Sequence, residues 1–303
     1  MRVVIREVGP RDGLQPEAPV PVETRVALIE ALVAAGVREI EAVAFVSPRA
    51  VPAMAGAASV LDGLAGRAGR RYWALVPNLR GAELALAAGA DALTVTVSAS
   101  EGYSQRNVRM SVEESILSAG RIAVLGGGRV PIDVVVSCAF GSLYEGDLAP
   151  ATVALICRRL LDGGATSLTL ADTTGMATPP RIDAVLAETG VGVGLHLHET
   201  RGTGLVNAYA GLQAGVTRFD TSIGGLGGSP FAAGAAGNLA TEDLVYLLDD
   251  LGLDTGIDLG RLLEASRLVA EAVGHSVPSR VAAAGPRLTL ATEPRAGGGV
   301  VER

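Results

Sequence analysis

The chain has 303 residues, 49% of them hydrophobic, with 40 glycines and only 3% aromatics, which suits an α/β protein whose large core is built from Ala, Val, Leu and Ile. A net charge of −7 leaves no basic footprint for nucleic acid, no apolar run approaches the roughly 18 residues of a membrane span, and Cys138 and Cys157 make neither a disulfide framework nor a zinc pattern. All 25 basic side chains are arginine, so Schiff-base chemistry, pyridoxal phosphate included, has no lysine amine to run on.

The sequence enters a strand at once, Val3–Val8, with the pattern of neither a signal nor a transit peptide, and a cytoplasmic location is expected. Apolar, β-branched runs recur at Glu39–Val46, Tyr72–Val76, Ala92–Ser98, Ile132–Ala139, Ser167–Ala171, Val191–His198 and Arg218–Ile223. Segments of helical period lie between them, at Val22–Ala35, Ala82–Ala88, Val112–Leu125, Ala151–Leu161 and Leu205–Ala214. Several close on a glycine, among them Gly36, Gly89 and Gly215. Eight strands alternating with helices predict an α/β fold of the (β/α)8 TIM-barrel kind. The competing doubly wound sheet, and NAD binding with it, lacks its glycine fingerprint after the first strand, where Val8-Gly9-Pro10-Arg11-Asp12-Gly13 stands instead. Thr241–Leu251 and Leu259–Val273 follow as a closing helix and an appended one. One domain over 1–290 is expected, with a small C-terminal helical extension, and the glycine-rich tail 291–303 is expected to be disordered.

In such a barrel the chemistry sits where the strands end. Those ends carry Arg11 and Asp12, Ser47 of a second strand that starts on Glu39-Ile40-Glu41, Ser137 and Cys138, Asp172 and Thr173, His196 and His198, and a glycine-rich loop from Gly224 that runs on to Asn238. His196 and His198, two of only three histidines, alternate along a strand and so share a face, as a pair of metal ligands would. Taken singly each feature has a plain alternative. Asp12 reads equally well as a helix N-cap, Asp172 as an Asx-turn residue, and the two histidines as core groups satisfied by backbone. The glycine loop is either a flexible connection or a phosphate nest, though not a P-loop, because the lysine is missing. Together they put carboxylate, imidazole and amide groups on one rim.

The motifs, in order, resemble a known family. Val8-Gly9-Pro10-Arg11-Asp12-Gly13-Leu14-Gln15, Phe45-Val46-Ser47-Pro48, Val136-Ser137-Cys138-Ala139, Tyr144-Glu145-Gly146, Asp172-Thr173-Thr174-Gly175, His196-Leu197-His198 and the stretch from Gly237 to Tyr246 are similar to those of 3-hydroxy-3-methylglutaryl-CoA lyases, over residues 3–275. The resemblance implies a divalent cation, Mg²⁺ or Mn²⁺, bound by Asp12, His196, His198 and Asn238. It also implies a small acyl-CoA substrate, a retro-Claisen cleavage and a homodimer. Arg11 would stabilise the developing oxyanion, and His196 or Asp172 would serve as base. Glu41 would orient polar groups in the site or simply pair with an arginine. Glu242 would hold the loop of Asn238 or act as a favourable charge at a helix N-terminus. Arg49 and Arg80, in loops after early strands, are candidates for CoA phosphates; so is Arg201, which reads as readily as an exposed arginine.

Three positions depart from the family. Ser229 stands where the lyases carry a loop cysteine, Glu199 replaces an aspartate, and Arg201 adds a cation. A thiol with a pKa of about 8.5 exchanges protons near neutrality far better than a serine hydroxyl, and losing one general acid costs roughly 10²–10⁴ in rate. Two readings therefore compete with the lyase. One is a Claisen-type synthase joining acetyl-CoA to a 2-oxo acid, for whose accessory domains 303 residues leave little room. The other is a weakly active barrel that binds CoA esters.

Overall fold

A computed structural model describes residues 2–64, 66, 68–228 and 237–287. Eight parallel strands close into one barrel: β1 (Val4–Glu7), β2 (Glu39–Ala44), β3 (Arg71–Leu75), β4 (Ala92–Ser98), β5 (Ile132–Ser137), β6 (Ser167–Ala171), β7 (Gly194–His196) and β8 (Arg218–Thr221). Each pairs with the next, and β8 returns to β1 with Arg6 opposite Asp220 and Glu7 opposite Thr221.

Helices cover the outside: α1 (Val22–Ala34), α2 (Ala57–Gly63), α3 (Leu79–Ala87), α4 (Glu101–Asn107), α5 (Val112–Gly126), α6 (Pro150–Asp162), α7 (Pro179–Thr189), α8 (Gly204–Ala214) and α9 (Thr241–Asp250). α10 (Leu259–Val273) packs back on the end of α1, where Asp258 N donates to the Ala35 carbonyl at 2.7 Å, and α11 (Arg280–Ala284) follows. The helix boundaries follow local chemistry. α5, for example, opens on a capping box of Ser111 and Glu114 and stops at left-handed Gly127. α2, α4, α7 and α11 were not anticipated; three are short, and α7 opens on Pro179-Pro180, which reads as a breaker in sequence but is well suited to a first helical turn.

The barrel interior is the unexpected part. A Cβ on Gly211 of α8 would lie 2.5 Å from Leu195 and 3.7 Å from Phe219, so those two side chains point out at the helix layer. Strand alternation then turns His196 and Asp220 inward. Such interiors are usually filled by branched apolar side chains. Here Arg6 donates from Nε and Nη2 to the two oxygens of Asp220 at 2.8 and 2.7 Å, reaches Asp133 at 2.9 Å, and lies 5.0 Å over the Trp73 ring. Asp133 also accepts from Ser167, Thr169 and Arg218 at 2.5, 2.8 and 3.1 Å. No helix among the described residues is long and apolar enough to cross a membrane.

Candidate active site

The site begins in the turn after β1. Leu14 N donates to the Gly9 carbonyl five residues back, at 2.9 Å, so Gly9–Gly13 forms a single π-type turn, a form often found at functional sites. A Cβ at position 9 would sit 2.7 Å from both Glu7 Oε1 and the Ile223 side chain, which is why glycine stands there. The turn brings Arg11 between two carboxylates: Nε donates to Glu41 at 2.6 Å, and Nη1 meets the neighbouring Asp12. Asp12 is not a helix cap, because α1 begins only at Val22 with Pro21 ahead of it. Glu41 pairs with Arg11, the plainer of its two expected readings.

Opposite stand the histidines. Their rings lie 5.2 Å apart, with His196 Nε2 3.8 Å from Asp12 Oδ2 and His196 Nδ1 3.3 Å from Asp220 Oδ2. β7 ends at His196; His198 lies beyond it and bridges the segment of Asn238 in antiparallel fashion. Asn238 Nδ2 donates to Asp12 at 2.8 Å and to the Leu226 carbonyl at 3.0 Å. Gly227, at φ 118°, leaves the room this amide occupies. The four expected metal ligands thus meet in one place.

Among the described residues no three His, Cys, Asp or Glu side chains form a ready-made metal group, and the carboxylate of Asp12 is engaged by Arg11 and Asn238. The donor chemistry nevertheless fits a cation. Asn238 Oδ1 is buried without a hydrogen-bond partner, so it is free to face a ligand, and it joins a carboxylate and two imidazoles in a mixed N/O set suited to Mg²⁺ or Mn²⁺.

Charge follows the surroundings. Burial alone would raise the pKa of Asp12, but the charges of Arg11 and His196 and the bond from Asn238 outweigh it and hold the group below its ordinary value. Burial lowers the His196 value, yet the hydrogen bond to Asp220 and the Asp12 charge turn the net shift upward. Asp172 is different. Burial pushes it up to about 7; Oδ1 accepts from Ala177 N at 2.8 Å, and Oδ2 is buried without a partner. A carboxyl poised near neutrality at a strand end is the usual form of a general acid–base.

Sequence reasoning missed a second layer. Glu7 Oε1 accepts from Gly9 N and Ile223 N at 2.7 and 2.8 Å, while Oε2 accepts from the Thr241 hydroxyl at 2.5 Å. Glu242, unlike Glu7, was singled out in the sequence; it accepts from Gly224 N at 3.0 Å at the start of the glycine-rich loop. Asp220, the partner of His196, was missed too. The signal was present as lone charges inside apolar strands, at Arg6-Glu7, Asp133 and Asp220.

Of the expected CoA contacts, Arg49 lies in the exposed turn after β2. Arg80 is not in a loop but in the first turn of α3, ion-paired to Glu83 at 3.0 Å. Arg201 is exposed and donates to the Thr174 and Gly175 carbonyls, both at 2.8 Å, tying the loop after β6 to the loop after β7. Glu199 accepts from Leu205 N at 2.9 Å in the first turn of α8. Ser229 and the tail 291–303 lie outside the described residues.

A family model described as HMGL-like matches residues 2–269. The chain belongs to the HMGL-like family. It is 43% identical over 295 residues to the mitochondrial hydroxymethylglutaryl-CoA lyase of Rattus norvegicus, covering 93% of this chain and 89% of that one. It is also 43% identical over 302 residues to the (R)-citramalyl-CoA lyase of Chloroflexus aurantiacus, covering 94% and 95%. Among solved structures, an HMG-CoA lyase of A. baumannii in complex with coenzyme A and 3-methylmalate superposes with a TM-score of 0.92 at 38% identity, over 97% of this chain and 98% of that one. The barrel anticipated from the strand pattern is therefore the fold of this family.

Proposed function

We propose that this HMGL-like chain is a divalent-metal-dependent carbon–carbon lyase that cleaves 3-hydroxy-3-methylglutaryl-CoA to acetyl-CoA and acetoacetate. The observation that carries the reading is the meeting of Asp12, His196, His198 and Asn238 beside Arg11 at the barrel mouth. Mg²⁺ or Mn²⁺ held by those four residues would supply Lewis acidity to the substrate's tertiary hydroxyl. Asp172 takes the hydroxyl proton. The hydroxyl carbon becomes the ketone of acetoacetate as the bond to the thioester's α-carbon breaks, and the electron pair passes into the acetyl-CoA enolate. Arg11, kept in place by Glu41, offers a fixed positive charge to the enolate oxygen. The proton on Asp172 then returns to the enolate carbon. Ser229 is a weaker proton donor than a thiol, and this reading gives Asp172 both transfers.

The relative from Chloroflexus aurantiacus favours a second substrate, citramalyl-CoA, in which the same tertiary hydroxyl and methyl sit one carbon nearer the carboxylate, and which splits to acetyl-CoA and pyruvate. Purified protein with Mn²⁺ should release acetyl-CoA from one of the two esters, and the keto acid formed names the substrate. Absence of keto acid from both, in the wild type and in Ser229→Cys alike, overturns the lyase reading.

A further inference from the structure

Beneath the mouth, the charged ladder of the barrel interior has no part in the steps above. Arg6, Asp133, Thr169 and Asp220 are all buried, at most 3% exposed, and they join β1, β5, β6 and β8. Its upper end touches the site, where Asp220 Oδ2 faces His196 Nδ1 at 3.3 Å while Nε2 of the same ring faces Asp12. We infer that Asp220, clamped by Arg6, is the positioning residue of His196: it accepts the proton of Nδ1 and so leaves the lone pair on Nε2, toward Asp12.

The geometry leaves Asp220 little freedom. Each oxygen takes one bond from the Arg6 fork, which fixes the carboxylate plane. Arg6 is held in turn by Asp133 and lies over the Trp73 ring, and Asp133 is anchored by Ser167, Thr169 and Arg218. The ring orientation of His196 is thus set by the barrel wall, whereas Asp12, His198 and Asn238 sit on the loops above it. A ligating histidine whose second nitrogen is bonded to a carboxylate has its tautomer and orientation set by that partner.

A merely structural role for Asp220, as counter-charge to Arg6, makes a different forecast for Asp220→Asn. Either orientation of the new amide sets an N–H against Arg6. The one that turns NH₂ toward His196 presents a donor to Nδ1 and moves the ring proton to Nε2, the wrong-tautomer effect of such substitutions. NMR of ¹⁵N-histidine-labelled, metal-free protein reads this directly, since there are only three histidines and His275→Gln and His198→Gln identify the other two. In the wild type, neutral His196 should carry its proton on Nδ1. Asp220→Asn should move it to Nε2 and weaken Mn²⁺ binding about 10- to 100-fold, the usual loss on removing such a partner. A wild-type ring protonated on Nε2 overturns the inference even if the variant does not fold; so does a folded variant with unchanged tautomer and Mn²⁺ affinity. The inference rests on His196 as a ligand, but the tautomer is read without metal or substrate, so a failed lyase assay and a failed positioning role are told apart.

Discussion

Asp220 and Glu7 stand on the paired strands β8 and β1, and both are fully enclosed, yet their pKa values are displaced in opposite directions. For each, burial is the largest influence and pushes the pKa up. At Asp220 the Arg6 guanidinium and the bond to His196 reverse it, and the group falls well below the ordinary carboxylate range. Glu7 meets only neutral donors, from Thr241, Ile223 and Gly9, with Glu242 adding a like charge, and it ends at about 8. Asp172, whose nearest donors are backbone amides, follows Glu7 and sits at about 7. Amide and hydroxyl donors satisfy a buried carboxyl without ionising it; a buried opposite charge ionises it. One barrel therefore holds a permanent anion under its histidine and a proton-carrying carboxyl on the strand beside it.

Removing the cation should break this contrast most severely. Arg6→Met leaves Asp133 and Asp220 without their shared counter-charge, and a buried pair broken on one side costs about 3–5 kcal/mol. Urea denaturation near pH 7 measures it; a loss under about 1 kcal/mol would mean that the ladder contributes nothing net.

Asp172→Asn probes the other carboxyl that burial raises. The side chain can still accept from Ala177 N, so the fold should persist while kcat falls by about 10²–10⁴, the usual share of a general acid–base. Steady-state rates settle it, and a drop smaller than tenfold would take Asp172 out of proton transfer.

Glu7→Gln gives the smallest and most specific effect. The folded pKa of about 8 lies above the ordinary 4.5, so folded protein holds an extra proton between those values. The associated stability is fully present below the lower value and is lost as pH rises through the upper one. Glutamine stays neutral throughout. The stability of the variant relative to wild type should therefore rise between pH 5 and 9, by on the order of a few kcal/mol. Parallel pH profiles for the two proteins would show that Glu7 is already ionised at neutrality.

Much of the barrel was legible in the apolar runs. β4 and β6 occupy the stretches predicted for them, and α10 runs over the expected Leu259–Val273. β7 is shorter than the run Val191–His198, because Val191 is exposed and His198 turns to bridge the segment of Asn238. The four candidate ligands were legible at or after strand ends, where sequence order already implies a common rim, and the family resemblance grouped them as one set. The ladder was not. In a barrel both faces of a strand are buried, so period-two alternation tells which residues share a face but not which face is inside. Arg6 and Asp220 are 214 positions apart, and only closure of the barrel brings them together. Glu7 was hidden for the same reason, since its partners come from the chain after β8.

That closure has a consequence for how the protein matures. The bond from Asn238 to Asp12 spans 226 positions, and it crosses the seam where the last strand meets the first. Long-range contacts of this kind form late, because the loop they close must be ordered first. A nascent chain that has emerged only through α8 carries Asp12, His196 and His198 but neither Asp220 to orient the ring nor Asn238 to finish the set. On the proposed function, capture of a cation would thereby be tied to completion of the barrel, and a partly made chain would lack the site with which to sequester metal or to open a CoA ester.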